Sequence, residues 1–244
     1  MTTQDFIAAA HPKIGTLGAA FYFHPDTLAV GKELGLDGFR WYFLGRGGVL
    51  GDVEAQVVGS AFGYFSPAVA DKIWTSARDK MAPRDAGRRY LECAQALGRS
   101  TFADLEGMDA YCAAVEKINA AADPAGLALY AALDAEPLAD DVGARAMQLT
   151  ALLREFRGCM HLTALVASGI SMEMAHLVKR PDDYGTFGWG DTPPPVTDAD
   201  RALSQTAEDL TNRLVEPAFS VVDDDEQAAL LAGLDAMETA LAGG

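Results

Sequence analysis

The stretch from Val142 to Ser168 constrains the fold of this chain more than any other. Apolar side chains recur in it every three or four residues, and no proline interrupts it. This spacing predicts one long helix from about Val142 to Ser168. A helix of this length needs other elements packed against its apolar side, because only then is that side removed from water.

Similar spacing and abundant alanine run through the rest of the sequence, so we predict an all-α, multi-helix fold. One helix is expected to begin at Pro25 and end near Gly35, and a final pair to span about Asp198–Leu214 and Asp224–Ala242. The segment GRGGVLG at residues 45–51 reads as a tight connection between helices. A loop is predicted at residues 180–198, which contain three consecutive prolines.

A polar break around Pro137 suggests two regions. Residues 1–136 would form an N-terminal helical region with an aromatic-rich pocket, and residues 137–244 a C-terminal, helix-turn-helix-like region. No flexible linker marks the boundary, so one continuous domain is the alternative.

The formal net charge of −16 disfavours nucleic acid as a partner, since attraction to phosphates supplies most nonspecific affinity for DNA. No apolar run is long enough to span a membrane, and no secretory signal is evident. The three cysteines have no metal-binding or disulfide-framework spacing. We therefore expect a cytoplasmic protein whose partner is a small molecule. The oligomeric state, a homodimer included, is left open.

One face of the long helix carries the strongest candidates for chemistry. At 100° per residue, Arg154 and His161 share a face and Arg157 lies at its edge, whereas Glu155 lies about 120° away from His161. The two arginines could bind a carboxylate or phosphate. His161 is the candidate general acid or base, and Arg157 the candidate anion stabiliser. A solvated, structurally neutral helix face is the alternative.

Ten aromatic residues fall between Phe21 and Phe65, more than a small helical core usually needs. They could line an apolar pocket with a few polar groups, or they could form a plain aromatic core. The predicted ligand-binding residues are Tyr22, His24, Trp41, Tyr42, Arg46, Tyr64 and Arg154. His11 and His24 each precede a proline, which predicts extended backbone at a helix entrance for both.

Glu173 and His176 form the Glu-x-x-His spacing found in carboxylate-bridged metal sites of helical bundles. Those sites use the motif twice, and this chain contains it once. The two residues are therefore weak metal-binding candidates, and the sequence assigns no cofactor.

Several segments together resemble a family of actinobacterial proteins described as helix-turn-helix or winged-helix-like, similar to MarR regulators. The resemblance is carried by YFHPD, by LGLDGFRWYFLGRGGVLGDVEAQVV, by AFGYFSP and by LLREFRGCMHLTALVASG. The matching positions include Tyr22 to Asp26, Leu34 to Gly38, Arg46 and Leu153 to His161. The resemblance implies a helix-turn-helix whose turn is Ser168 to Ser171.

This chain departs from the family pattern in two places. Glu155 to His161 lacks a histidine and an aspartate of the family's Glu-His-Arg-Gly-Asp-Gly-His motif. The region that holds the family's wing shrinks to a short, proline-rich segment, and the second helix of the motif carries Lys179 and Arg180 only at its end. We therefore expect degenerate winged-helix elements.

Three functions remain in competition at this stage. The first is a small-molecule-binding or catalytic protein with an aromatic, arginine and histidine pocket for an apolar or acidic ligand. The second is a helix-turn-helix transcription regulator. The third is a metal-dependent oxidoreductase or hydrolase that uses iron or zinc at Glu173 and His176.

Overall fold

The computed structural model describes residues 1–243, and within them it is entirely helical. The first six helices are α1 (Thr3–Leu17), α2 (Pro25–Glu33), α3 (Gly38–Gly48), α4 (Ala55–Phe62), α5 (Pro67–Ala77) and α6 (Pro83–Phe102). The other six are α7 (Met108–Ala121), α8 (Ala128–Asp134), α9 (Val142–Ser168), α10 (Met172–Lys179), α11 (Asp198–Phe219) and α12 (Asp224–Ala242). The predicted all-α class is confirmed, and no helix in the described part is long and apolar enough to cross a membrane.

Helix α9 is the centre of the molecule. It contacts α1, α6, α7, α8 and α11, and most of its residues from Gly143 to Phe156 are buried. The Asp141 carboxylate accepts a hydrogen bond from the Ala144 N–H and caps its start, while Gly169, with a φ of +77°, ends it. Its observed bounds agree with the predicted ones.

The main hydrophobic core takes side chains from both predicted regions, from Phe6 in α1 to Met237 in α12. A second, smaller core joins Ala164 and Leu165 at the end of α9 to Ala175 of α10 and Ala207 of α11. This smaller core fixes α10 against the rest of the protein.

Three details of the sequence-based prediction are corrected. Residues 45–48 belong to α3 rather than to a connection, and Gly45 and Gly48 allow α3 to pack closely on α6. Helix α11 continues beyond Leu214 to Phe219, because Val215, Ala218 and Phe219 bury their side chains. His11 lies inside α1, which continues through Pro12, whereas His24 does adopt the predicted extended backbone before α2.

Gly48 shows how tightly α3 and α6 approach each other. A Cβ at this position would lie 2.0 Å from the Pro83 carbonyl oxygen and 3.0 Å from the Gly87 nitrogen. These are backbone atoms, so neither can turn aside as a side chain would. By contrast, a Cβ at Gly15, inside α1, would meet no atom within 4 Å.

We expect Gly48→Ala to lower the free energy of unfolding by about 1–3 kcal/mol or more, because overpacking usually costs this much. Gly15→Ala is the control and should raise it by up to about 1 kcal/mol, because alanine favours a helix over glycine. Urea unfolding with comparable m-values measures both changes. Equal stability of Gly48→Ala and the unsubstituted protein would contradict the close packing.

Candidate functional site

A cleft of about 860 Å³ opens between α1, α3, α4, α9, α10 and α11. Its apolar wall is formed largely by Phe62, Phe65, Leu162 and Phe187. Its charged side is formed by Arg46, Arg154, Arg157, Lys179, Arg180 and Glu208. The cleft therefore combines an aromatic wall with a concentration of positive charge.

At one side of the cleft, a buried carboxylate holds two arginines. Arg46 of α3 donates two hydrogen bonds to Glu155 of α9, from Nε to Oε1 at 2.9 Å and from Nη2 to Oε2 at 2.7 Å. Arg154 Nη1 donates to Glu155 Oε1 at 2.9 Å, and the Tyr22 hydroxyl donates to the same oxygen at 2.6 Å. Tyr42 completes the group, since its hydroxyl accepts from Arg46 Nη1 at 3.0 Å.

Burial opposes the ionisation of Glu155, but the charges of Arg46 and Arg154 and the hydrogen bonds outweigh it and lower the pKa of this carboxyl to about 2. The carboxylate is therefore ionised at neutral pH and joins α3 to α9 through a bidentate ion pair. Because two guanidinium groups share one carboxylate, this group retains a net positive charge beside the cleft.

Arg154 differs from Arg46 in its unused donors. Arg46 directs Nε, Nη1 and Nη2 to protein acceptors. Arg154 uses only Nη1, toward Tyr22 and Glu155, and its guanidinium lies over the Tyr22 ring at 4.8 Å from the centroid. Within residues 1–243, its Nε and Nη2 donate to no protein atom, so this edge of the guanidinium is available to a ligand.

A second charged group is centred on Glu208 of α11. Arg157 donates from Nη2 to Glu208 Oε2 at 2.6 Å and from Nε to His11 Nδ1 at 2.9 Å. Lys179 donates to the other oxygen, Oε1, at 3.1 Å. Both oxygens of Glu208 therefore have a cationic donor, and this group also carries more positive than negative charge.

His161 lies between this charged group and the α11 backbone. Its Nδ1 is 2.8 Å from Thr211 Oγ1, and its Nε2 is 3.7 Å from Glu208 Oε1. Burial lowers the pKa of His161 to about 4, Lys179 and Arg157 add to the effect, and Glu208 opposes it. Burial, with Arg157 beside it, also lowers the pKa of His11, to about 3. Both imidazoles are neutral at pH 7.

Three rings stack at the far end of the cleft. Phe187, from the segment between α10 and α11, lies 4.2 Å from Phe65 and 4.1 Å from His176, measured between ring centroids. The same segment is attached to the start of α5 by two hydrogen bonds, from Ser66 N to the Phe187 oxygen and from Trp189 Nε1 to the Tyr64 oxygen. The proline-rich loop therefore forms part of the wall.

The structure brings most of the predicted site residues together. The cleft is lined by Tyr42, Arg46, Tyr64, Arg154, Arg157, His161 and His176. Tyr22 lies beneath it, bonded to Glu155. Two predicted ligand residues lie elsewhere: Trp41 is fully buried in the core against Tyr90, and His24 caps α2 through its Nδ1. Neither residue lines this cleft, so a role of Trp41 or His24 in ligand binding stays a prediction from sequence.

The weak metal-binding candidates have other partners. Glu173 accepts a hydrogen bond from the Tyr184 hydroxyl at 2.5 Å, and His176 packs against Phe187. Within residues 1–243 there is no group of three or more His, Cys, Asp or Glu residues placed to hold a metal ion. Metal binding at Glu173 and His176 stays a prediction from spacing alone.

Glu155, Glu208 and His11 were missed as site residues. Glu155 does not share a helix face with His161, and its partner Arg46 is on a different helix. A signal was available in the sequence: Arg46 is a charged residue in the mostly apolar second half of α3, and Glu155 is the only carboxylate of α9. Glu208 had no such signal, because it is one of many acidic residues in the C-terminal part.

The α9–α10 pair has the predicted helix-turn-helix outline, with Gly169 and Ile170 between the helices and Ser171 as the cap of α10. The first turn of α10 is half-buried and contains the acidic Glu173, and its middle, from Ala175 to Leu177, is buried. No β-hairpin wing follows within the described residues. The exposed basic residues, Lys179 and Arg180, line the cleft.

A sequence profile described as a helix-turn-helix family matches residues 7–189, which is most of the chain. The protein belongs to this helix-turn-helix family. The matched range runs from within α1 to the segment after α10, and it therefore includes both the aromatic wall and the α9–α10 pair. No curated protein and no solved structure matched the sequence.

We expect the free energy of unfolding to fall as the pH drops from about 7 to about 5. Unfolded histidine binds a proton near pH 6.5, whereas folded His11 and His161 stay neutral down to pKa values of about 3 and about 4. Each of these histidines then lowers the free energy of unfolding by up to about 1.4 kcal/mol for every pH unit below pH 6.5. Urea unfolding across this pH range measures the slope.

His161→Asn is the matched variant, because asparagine can still donate to Thr211 but does not titrate. Its slope should be smaller than that of the unsubstituted protein by the contribution of one histidine. An unchanged slope would show that His161 takes up its proton in the folded state as readily as in the unfolded chain.

Proposed function

We propose that this protein binds a small organic anion with an aromatic or otherwise flat apolar body in the cleft. The observation that carries the proposal is the local charge: five cationic side chains line the cleft of a protein whose net charge is −16. The carboxylates of Glu155 and Glu208 offset only part of this charge. A site that concentrates positive charge in an acidic protein favours anionic ligands.

Arg154 is the proposed partner of the anionic group. Its free Nε and Nη2 are adjacent nitrogens of one planar guanidinium, a geometry that matches the two oxygens of a carboxylate. The ion pair between Glu155 and Nη1 fixes the guanidinium before the ligand arrives. Binding then requires little ordering of this side chain, which favours affinity.

The aromatic wall is the proposed partner of the ligand's body. Phe62 and Phe65 present apolar surface beside Arg46, whose guanidinium lies over the Phe62 ring at 4.3 Å from the centroid. A flat ring system placed between this wall and α9 would remove apolar surface from water on both sides. Catalysis by His161, with Arg157 as anion stabiliser, stays a prediction within this site.

A transcription regulator is the second candidate, and family membership together with the α9–α10 outline favours it. The burial of α10 weighs against it, because a recognition helix reads bases with exposed residues near its N-terminus. A gel-shift assay on genomic fragments at low and at physiological salt tests it. We expect only weak binding that vanishes at physiological salt, and sequence-specific binding that survives would favour the regulator.

The main test uses 2-naphthoate, a flat aromatic carboxylate, and titration calorimetry. We expect the protein to bind it and Arg154→Gln to weaken binding by about tenfold to a hundredfold, the worth of charge-assisted hydrogen bonds. Glu155 keeps its bidentate partner Arg46 in this variant. The fold should therefore survive, which thermal unfolding checks.

Arg89→Gln is the control for overall charge. Arg89 is on α6 and pairs on the surface with Glu92, and it does not line the cleft. Its loss should leave the affinity for 2-naphthoate unchanged within about twofold, since a distant exposed charge is screened by salt. Absence of binding by the unsubstituted protein, or equal losses in the two variants, would refute the proposed site.

A further inference from the structure

The cleft holds a second recognition element, a hydrogen-bond acceptor that would bind a donor group rather than an anion. We propose that the ligand is an aromatic carboxylate with a hydroxyl group at its far end, which donates to Nε2 of His161. This inference rests on the proposed anion site at Arg154 and names the class of molecule that fits it.

The hydrogen bonds of Thr211 fix the tautomer of His161. The Thr211 hydroxyl has a single hydrogen, and it donates that hydrogen to the Ala207 carbonyl oxygen at 2.7 Å. Thr211 Oγ1 must therefore accept from His161 Nδ1, 2.8 Å away, so Nδ1 carries the imidazole proton. In the neutral ring Nε2 is then a bare acceptor.

The protein provides no donor for this acceptor. Within residues 1–243, Nε2 makes no hydrogen bond, and Glu208 Oε1, another acceptor, lies 3.7 Å from it. Glu208 is already bonded by Arg157 and Lys179. A hydroxyl next to Nε2 would supply the missing donor, which a second carboxylate there could not do.

Spacing along α9 sets the size of the ligand. Arg154 and His161 lie seven residues apart on one helix face, and a helix rises about 1.5 Å per residue, so their backbones are roughly 10 Å apart along the axis. A carboxylate and a hydroxyl at opposite ends of a fused two-ring system cover a comparable distance. The aromatic wall offers apolar surface for such rings, which makes a hydroxynaphthoate-like acid the matching class.

Three probes that differ at one position test the inference: 2-naphthoate, 6-hydroxy-2-naphthoate and 6-methoxy-2-naphthoate. We expect calorimetry to show that the hydroxy acid binds about fivefold to tenfold more tightly than 2-naphthoate, as for one added hydrogen bond. The methoxy acid fills the same space but cannot donate. It should therefore bind no more tightly than 2-naphthoate.

His161→Phe should reduce the preference for the hydroxy acid to about onefold, while binding of 2-naphthoate persists. Tyr130→Phe is the control, because it removes a tyrosine hydroxyl that bonds the Asn119 oxygen outside the cleft, and it should keep the preference. As a measurement independent of substitution, a long-range proton–nitrogen NMR spectrum of the unsubstituted protein should show the His161 proton on Nδ1.

The outcomes separate the two proposals. If 2-naphthoate binds through Arg154 but the hydroxy acid gains nothing, the hydroxyl inference is wrong and the anion site stands. The inference also fails if the methoxy acid gains as much as the hydroxy acid, or if His161→Phe keeps the preference. If none of the three acids binds, the anion site fails and the inference fails with it.

Discussion

The buried ion pair between Glu155 and Arg46 is the interaction on which the site depends. It joins the middle of α9 to α3, the helix behind the aromatic wall, and it places Tyr22 and Arg154 on the same carboxylate. A buried ion pair is seldom a large net gain in stability, because both charges must first lose their water. Its consequence here is positional: one carboxylate holds two guanidinium groups in fixed directions and leaves one edge of Arg154 free.

On the other side of the cleft, too, a carboxylate holds cationic side chains in place. Glu208 neutralises part of the charge of Arg157 and Lys179 and holds both in place, while Thr211 orients the ring of His161. Each carboxylate therefore acts as a support for cations rather than as a ligand group. This arrangement explains how an acidic chain can maintain a cationic cavity without the mutual repulsion of unpaired arginines.

The fold was largely predictable because helical periodicity and capping residues are local signals. The bounds of α9 and the turn at Gly169 follow from them. The connection predicted at the α3 glycines is wrong, because the sequence does not distinguish a glycine that allows a neighbouring helix to pack closely from a glycine that permits a turn. The face of α9 that carries its arginines and histidine could also be predicted from helical spacing. Glu155 could be noted as the only carboxylate of α9, but which residues Glu155 and Glu208 pair with could not be predicted, since pairing across helices depends on tertiary packing that no local pattern records.

The origin of the cleft walls has a consequence for how the site arises during synthesis. Phe62 and Phe65 of the aromatic wall lie before residue 70, whereas Glu208 belongs to α11. An emerging chain therefore carries the phenylalanines long before the helix that completes the cavity leaves the ribosome. A fragment that ends before α11 lacks Glu208, so the cleft is complete only once the chain has folded through α11.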